Sequence, residues 1–165
     1  MLAHFRASSR NVNHPIAMLS KSFTTALPQS MVMKRIFTLP DGQSAWGSVT
    51  VPFSVDLGEI GICSPLAPGE GVIFRKTPGS YDFANHCAPR EQIIVNLNAA
   101  VDITTSRDGT KRLDAGEAFF VEDTHGVGHV SKSVDAKARH SLFLPVSKHS
   151  LEKIGCVFSD HPRSE

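Results

Sequence analysis

The residues with the most chemistry to offer are two histidines far apart in the chain, His86 and His129. Imidazole titrates near neutral pH, so a convergent pair can take up and return a proton as general base and acid. His125, four positions before His129, joins them as an auxiliary acid–base candidate. A His-xxx-His spacing grips zinc when it rides on a helix, but Gly126 and Gly128 in the interval argue against a helix here. Just upstream, Glu122 and Asp123 are carboxylates able to orient or polarise one of these rings. Arg75 and Arg90 are candidates to hold an anionic or enolate oxygen through charge-assisted hydrogen bonds. Adjacent Arg90 and Glu91 read equally well as a solvated charge pair, worth little. Tyr81, the only tyrosine, is a candidate substrate contact or proton donor.

Short apolar runs must position these groups. Val72-Ile73-Phe74, Ile93-Ile94-Val95, Phe119-Phe120-Val121 and Leu142-Phe143-Leu144 are of strand length. Pro68-Gly69, Pro78-Gly79, Asp108-Gly109 and Ala115-Gly116 punctuate them as turns. Val101 and Ile103 alternate with Asp102 and Thr104 before Arg107-Asp108-Gly109 turns the chain back, which predicts a β-hairpin over 100–113. In the strand 92–97, Gln92, Ile94 and Asn96 share one face, and Ile93, Val95 and Leu97 the other. Both faces are partly apolar, so this strand is expected to be a wall covered on each side, by a second sheet or a twin subunit. A short helix is expected around 150–158. The pattern predicts an all-β fold, sandwich or barrel, whose domain spans 34–147, with an N-terminal extension (1–33) and a C-terminal tail (148–165). Trp46 is expected to pack on a first strand or a dimer edge, and Cys63 and Cys156 to be buried free thiols.

Composition bounds the function. The 165 residues carry 17 Lys+Arg against 16 Asp+Glu, a net charge of +1, which removes the electrostatic case for nucleic acid. No apolar run is long enough for a membrane span. Three cysteines without a CxxC pair argue for a reducing, intracellular setting. The first forty residues hold no Asp or Glu but are rich in Arg, Lys and Ser. That is the composition of a mitochondrial presequence, set against a cytoplasmic protein with a plain extension.

Two stretches, in order, carry a family resemblance. The first runs from Gly79 to Gln92 and on through Ile93 to Leu97; the second runs from Gly116 to His129. They resemble the two motifs of the cupin family of small, double-stranded β-helix (jelly-roll) barrels, with the 100–113 hairpin as the variable region between. In metal-dependent cupins the first motif supplies His-x-His and a following Glu, and the second supplies one more His. Carried over residue by residue, the resemblance implies His86, Gln92 and His129 as metal ligands, with Ala88 standing at the second His and Gln92 at the Glu. Two of the four usual ligands are therefore replaced. The cofactor implied is one divalent metal (Fe, Mn, Ni or Zn) or, given those replacements, none.

The expected function is a small cupin enzyme performing an oxidoreductase-type or isomerase/cyclase-type step on a small organic molecule, as in secondary metabolism. A metal-free module that binds or senses a small ligand without turnover is the alternative. The expected partners are a small molecule and a second copy in a homodimer, with neither nucleic acid nor membrane.

Overall fold

The structure is a computed structural model, and it describes residues 29–161. Residues 1–28, the greater part of the acid-poor segment read as a presequence or extension, lie outside the described residues. Along the chain come β1 (Ser30–Thr38), β2 (Ser44–Pro52), β3 (Val55–Asp56), β4 (Ile62–Cys63), β5 (Ile73–Thr77) and β6 (Asp82–His86). They are followed by β7 (Gln92–Asn96), β8 (Val101–Thr105), β9 (Gly109–Leu113), β10 (Ala118–Val121), β11 (His129–Ser133) and β12 (Arg139–Pro145). A six-residue helix α1 (Lys148–Lys153) and β13 (Val157–Ser159) complete the described chain. The fold is all-β with one short helix near its C-terminal end, as the turn-punctuated apolar runs predict.

Local chemistry explains the hairpins. Between β1 and β2, Gly42 takes φ 83°, and its N–H donates to the Leu39 carbonyl at 2.9 Å. The Asp41 carboxylate accepts from the Gln43 N–H at 3.1 Å, an Asx-type closure of the turn. In the 100–113 hairpin, Val101 pairs with Leu113 and Thr105 with Gly109. Val101, Ile103 and Leu113 are buried, whereas Asp102 meets Arg112 on the outer face through two hydrogen bonds of 2.9 and 3.0 Å. The predicted hairpin forms with its predicted alternation.

Two sheets result. A seven-stranded sheet has the order β13-β2-β1-β10-β7-β12-β5, and a four-stranded sheet the order β6-β11-β8-β9. β1 runs parallel to β10, and the other pairings are antiparallel. Between the sheets, Ile36, Trp46, Val101, Ile103, Leu113 and Phe119 belong to one core cluster. Burying each large apolar side chain of this kind contributes about 1.5–3 kcal/mol. Trp46 is therefore interior, and its indole N–H donates to the Gly109 carbonyl at 3.1 Å. On the opposite face of the large sheet, Met33, Val49, Phe120, Val146, Leu151 and Cys156 build a second core, with Ile93 packed against it.

That second core changes the reading of both chain ends. Ser30 to Met33, assigned from the sequence to an extension, lie in β1, and Met33 is buried. The segment from 148, read as a tail, supplies Leu151 and Cys156 to the core, and β13 pairs with β2. The helix starts two residues earlier than expected, capped by the Ser147 hydroxyl accepting from the Ser150 N–H at 3.0 Å, and Phe158 lies in β13 rather than in the helix. On its Ile93 side the doubly apolar strand β7 thus packs against the second core, to which β1 and the 148–159 segment contribute. Cys156 is buried, and Cys63 only half-buried.

Candidate functional site

The four-stranded sheet brings the two motif histidines together. His129 opens β11 and is the register partner of His86, which closes β6. Their ring centroids lie 4.5 Å apart at 54°. Gly128 permits this approach. It sits at φ 73°, and a Cβ there would overlap the backbone carbonyl of His86, so a residue without a side chain is required. The rings continue outward along one path. Phe83 meets His86 edge-on at 4.7 Å, and Tyr81 stacks on Phe83 at 5.9 Å.

Both imidazoles have one nitrogen assigned by the protein. The His129 Nδ1–H donates to Asp123 Oδ2 at 2.6 Å, with the Asp123 side chain fully buried. The His86 Nδ1–H donates to the Ala84 carbonyl at 2.9 Å. A carbonyl or carboxylate can only accept, so in each neutral ring Nε2 keeps its lone pair. Burial holds the His86 pKa below the usual imidazole value. The neighbouring His129 and Arg75 act in the same direction, against the Ala84 carbonyl and the Asp123 charge.

His86 and His129 line a cavity of about 240 Å³ between the sheets. Gln92, Tyr81 and Arg75 line it too, as do Ile94, Phe119 and Phe143 from the large sheet. Gln92 and Ile94 share one face of β7, as parity predicts, and both line the cavity, as does Ala88, which brings only a methyl group to the place of the second motif histidine. The Arg75 guanidinium stands over the rings of Tyr81 (5.5 Å) and Phe143 (5.2 Å) at the mouth.

Other candidates fall elsewhere. His125 is exposed and outside the cavity lining; what it offers is its backbone carbonyl, which accepts from the Thr38 hydroxyl at 2.9 Å. Its glycine-flanked turn runs along the β1–β2 hairpin and so carries the ring away from the mouth. Arg90 is also exposed and outside the lining, in the turn between β6 and β7. Its neighbour Glu91 accepts from the Lys148 N–H at the start of α1 instead of pairing with it. Of the two upstream carboxylates only Asp123 reaches a histidine. Glu122 pairs with the buried Arg35, and burial raises its pKa against the pull of that cation. Cys87 turns to the Gly126 carbonyl at 3.4 Å, as alternation requires.

Sequence reasoning missed Arg139 and Ser131, both buried and both lining the cavity. Arg139, Ser141 and Phe143 share parity on β12. A cation on the same face as an inward phenylalanine was the signal available.

The donor set does not fit a divalent metal. Beside the two imidazoles it offers only neutral oxygens, those of the Gln92 amide and the Tyr81 and Ser131 hydroxyls, and among the described residues no group of three or more His, Cys, Asp or Glu side chains is arranged to hold one. Among the described residues no carboxylate lines the cavity, whereas two guanidinium groups do, and these repel a cation.

No protein-family model matches the chain, and no curated protein matches it to a significant degree. Among the described residues no helix is long and apolar enough to cross a membrane.

Proposed function

We propose that this chain is a small jelly-roll barrel of the cupin type that catalyses a metal-free proton transfer, of the isomerase or cyclase kind, on a small organic molecule. The strand order supports the architecture. Leaving aside the flanking strands, the sheets read β5-β12-β7-β10 and β6-β11-β8-β9, the arrangement of two interlocked Greek keys. The observation that carries the chemistry is the buried Asp123–His129 pair beside the cavity.

Asp123 fixes the ring and tautomer of His129, so that Nε2 acts as the base. A substrate with an acidic C–H beside a carbonyl gives that proton to Nε2, and its electron pair moves onto the carbonyl oxygen. The Gln92 amide supplies a hydrogen-bond donor to the same cavity. Asp123 stabilises the imidazolium so formed, which then returns the proton to the same carbon or, where a C=C bond is conjugated with the enolate, to the far carbon of that dienolate. Protons and electrons balance within the substrate, and no oxidant is needed. His86, held neutral, adds no competing positive charge beside the base. The oxidoreductase-type reading loses support because its metal finds no matching donor set.

The test is to incubate the protein with small enolisable carbonyl compounds in D2O and follow C–H exchange by NMR. Exchange that needs His129 supports proton transfer. Ligand-dependent stabilisation without any exchange would favour the other reading, a binding module without turnover, to which the replaced motif residues Ala88 and Gln92 also point.

A further inference from the structure

Resting on that cavity as the ligand site, we infer that its ligand is a small organic monocarboxylate with an apolar body, and that Arg139 is the residue that receives the carboxylate. Arg139 opens β12, is 5% exposed and lines the cavity. Its Nε and Nη1 are buried without a hydrogen-bond partner, and among the described residues its guanidinium has no ion-pair partner. The register partner Thr77 does not help: its hydroxyl is also buried and unpaired. Burial lowers the Arg139 pKa, and the neighbouring Arg75 cation lowers it further, against the Tyr81 phenol. An uncompensated guanidinium in an apolar interior is costly, because its hydration is lost and nothing replaces it. Among the described residues no carboxylate of the chain lines the cavity, and the buried Asp123 is engaged by His129.

The lining therefore has surplus positive charge at one end and Ile94, Val101, Ile103, Phe119 and Phe143 around the rest. An anion that docks on Arg139 restores the missing partner, and a guanidinium–carboxylate pair is among the stronger charge-assisted contacts. The volume, at the small end of ligand cavities, suits an aryl or alkenyl acid rather than a nucleotide or a sugar chain.

Thermal shift and calorimetric titration of the full chain test this with benzoate, cinnamate and crotonate against their amides. The acids are expected to raise the wild-type melting temperature, with the amides weaker by about tenfold or more in affinity. Arg139→Met is expected to fold with an unbound melting temperature at or above wild type, because it removes a buried unpaired charge, and to lose the preference for acid over amide. Arg139→Lys is expected to retain part of that preference. The inference is overturned if no acid outperforms its amide, or if Arg139→Met and Arg139→Lys, both folded by circular dichroism, bind the acids as wild type does. Failure of the proton-transfer reading looks different: acids would still bind through Arg139, while His129 variants would leave exchange rates unchanged.

Discussion

Asp123 Oδ2 sits 2.6 Å from His129 Nδ1, and the two residues come from opposite ends of a glycine-bearing turn that leads into β11. A buried carboxylate with one oxygen on an imidazole N–H selects a single tautomer, and the other oxygen, Oδ1, has no partner. Among the described residues His129 is the one hydrogen-bond partner shown for this carboxylate, whose burial is otherwise complete.

Replacing this carboxylate by an amide is the first test. Asp123→Asn keeps the shape but loses a charge-assisted hydrogen bond, worth about 1.5–3 kcal/mol. The imidazole NMR spectrum of the wild-type protein is expected to show a protected, strongly hydrogen-bonded Nδ1 proton on His129. In Asp123→Asn that signal is expected to vanish and exchange activity to fall. An unchanged spectrum would mean that the pair does not persist in solution.

His86 supplies a pH dependence. Its folded pKa is depressed, mainly by burial, so the folded protein binds its proton less readily than the unfolded chain does. As pH falls through about 6.5, the unfolded pKa of histidine, and on toward the lower folded value, this residue removes stability. Above that window it contributes no penalty. Melting temperature followed from pH 7.5 down to pH 5 is expected to decline, and His86→Asn to flatten part of the decline. The groups acting on His86 are His129, Asp123 and Arg75, so the comparison requires the same variant background throughout.

Much of this was legible because it is local. The 100–113 hairpin announces itself through alternation and Asp108-Gly109, and parity along 92–96 places Gln92 and Ile94 together correctly. His86 and His129 could be paired from motif order. Arg139 was harder to find, since only its shared parity with Phe143 on β12 hinted at it and its partner strands β5 and β7 lie far away in sequence. The three residues of β13 are too few to show a period, and only their pairing with β2 reveals them as sheet. His125 misled because sequence proximity to His129 says nothing of direction once Gly126 turns the chain at φ 83°.

The C-terminal segment offers a check on the second core. Leu151 is 2% exposed beneath the large sheet, and Leu151→Ala is expected to cost about 2–5 kcal/mol in chemical denaturation. A loss under about 0.5 kcal/mol, the range of an uninvolved surface change, would mean that α1 does not dock as described.

Gly128 tests how the site is assembled. Gly128→Ala combines a positive φ with a clash on the His86 backbone, so it is expected to destabilise by more than about 1 kcal/mol. It is also expected to abolish through-space NMR contacts between the two imidazoles. Retained contacts at full stability would contradict the close approach of β6 and β11.

The most direct measurement is C–H exchange of enolisable carbonyl compounds in D2O, in chelator-treated buffer, for wild type and His129→Gln side by side. Exchange is expected in the wild type, with a loss of about a hundredfold or more in a folded His129→Gln protein. Equal rates in the two proteins, or exchange that disappears with the chelator, would contradict metal-free proton transfer by His129.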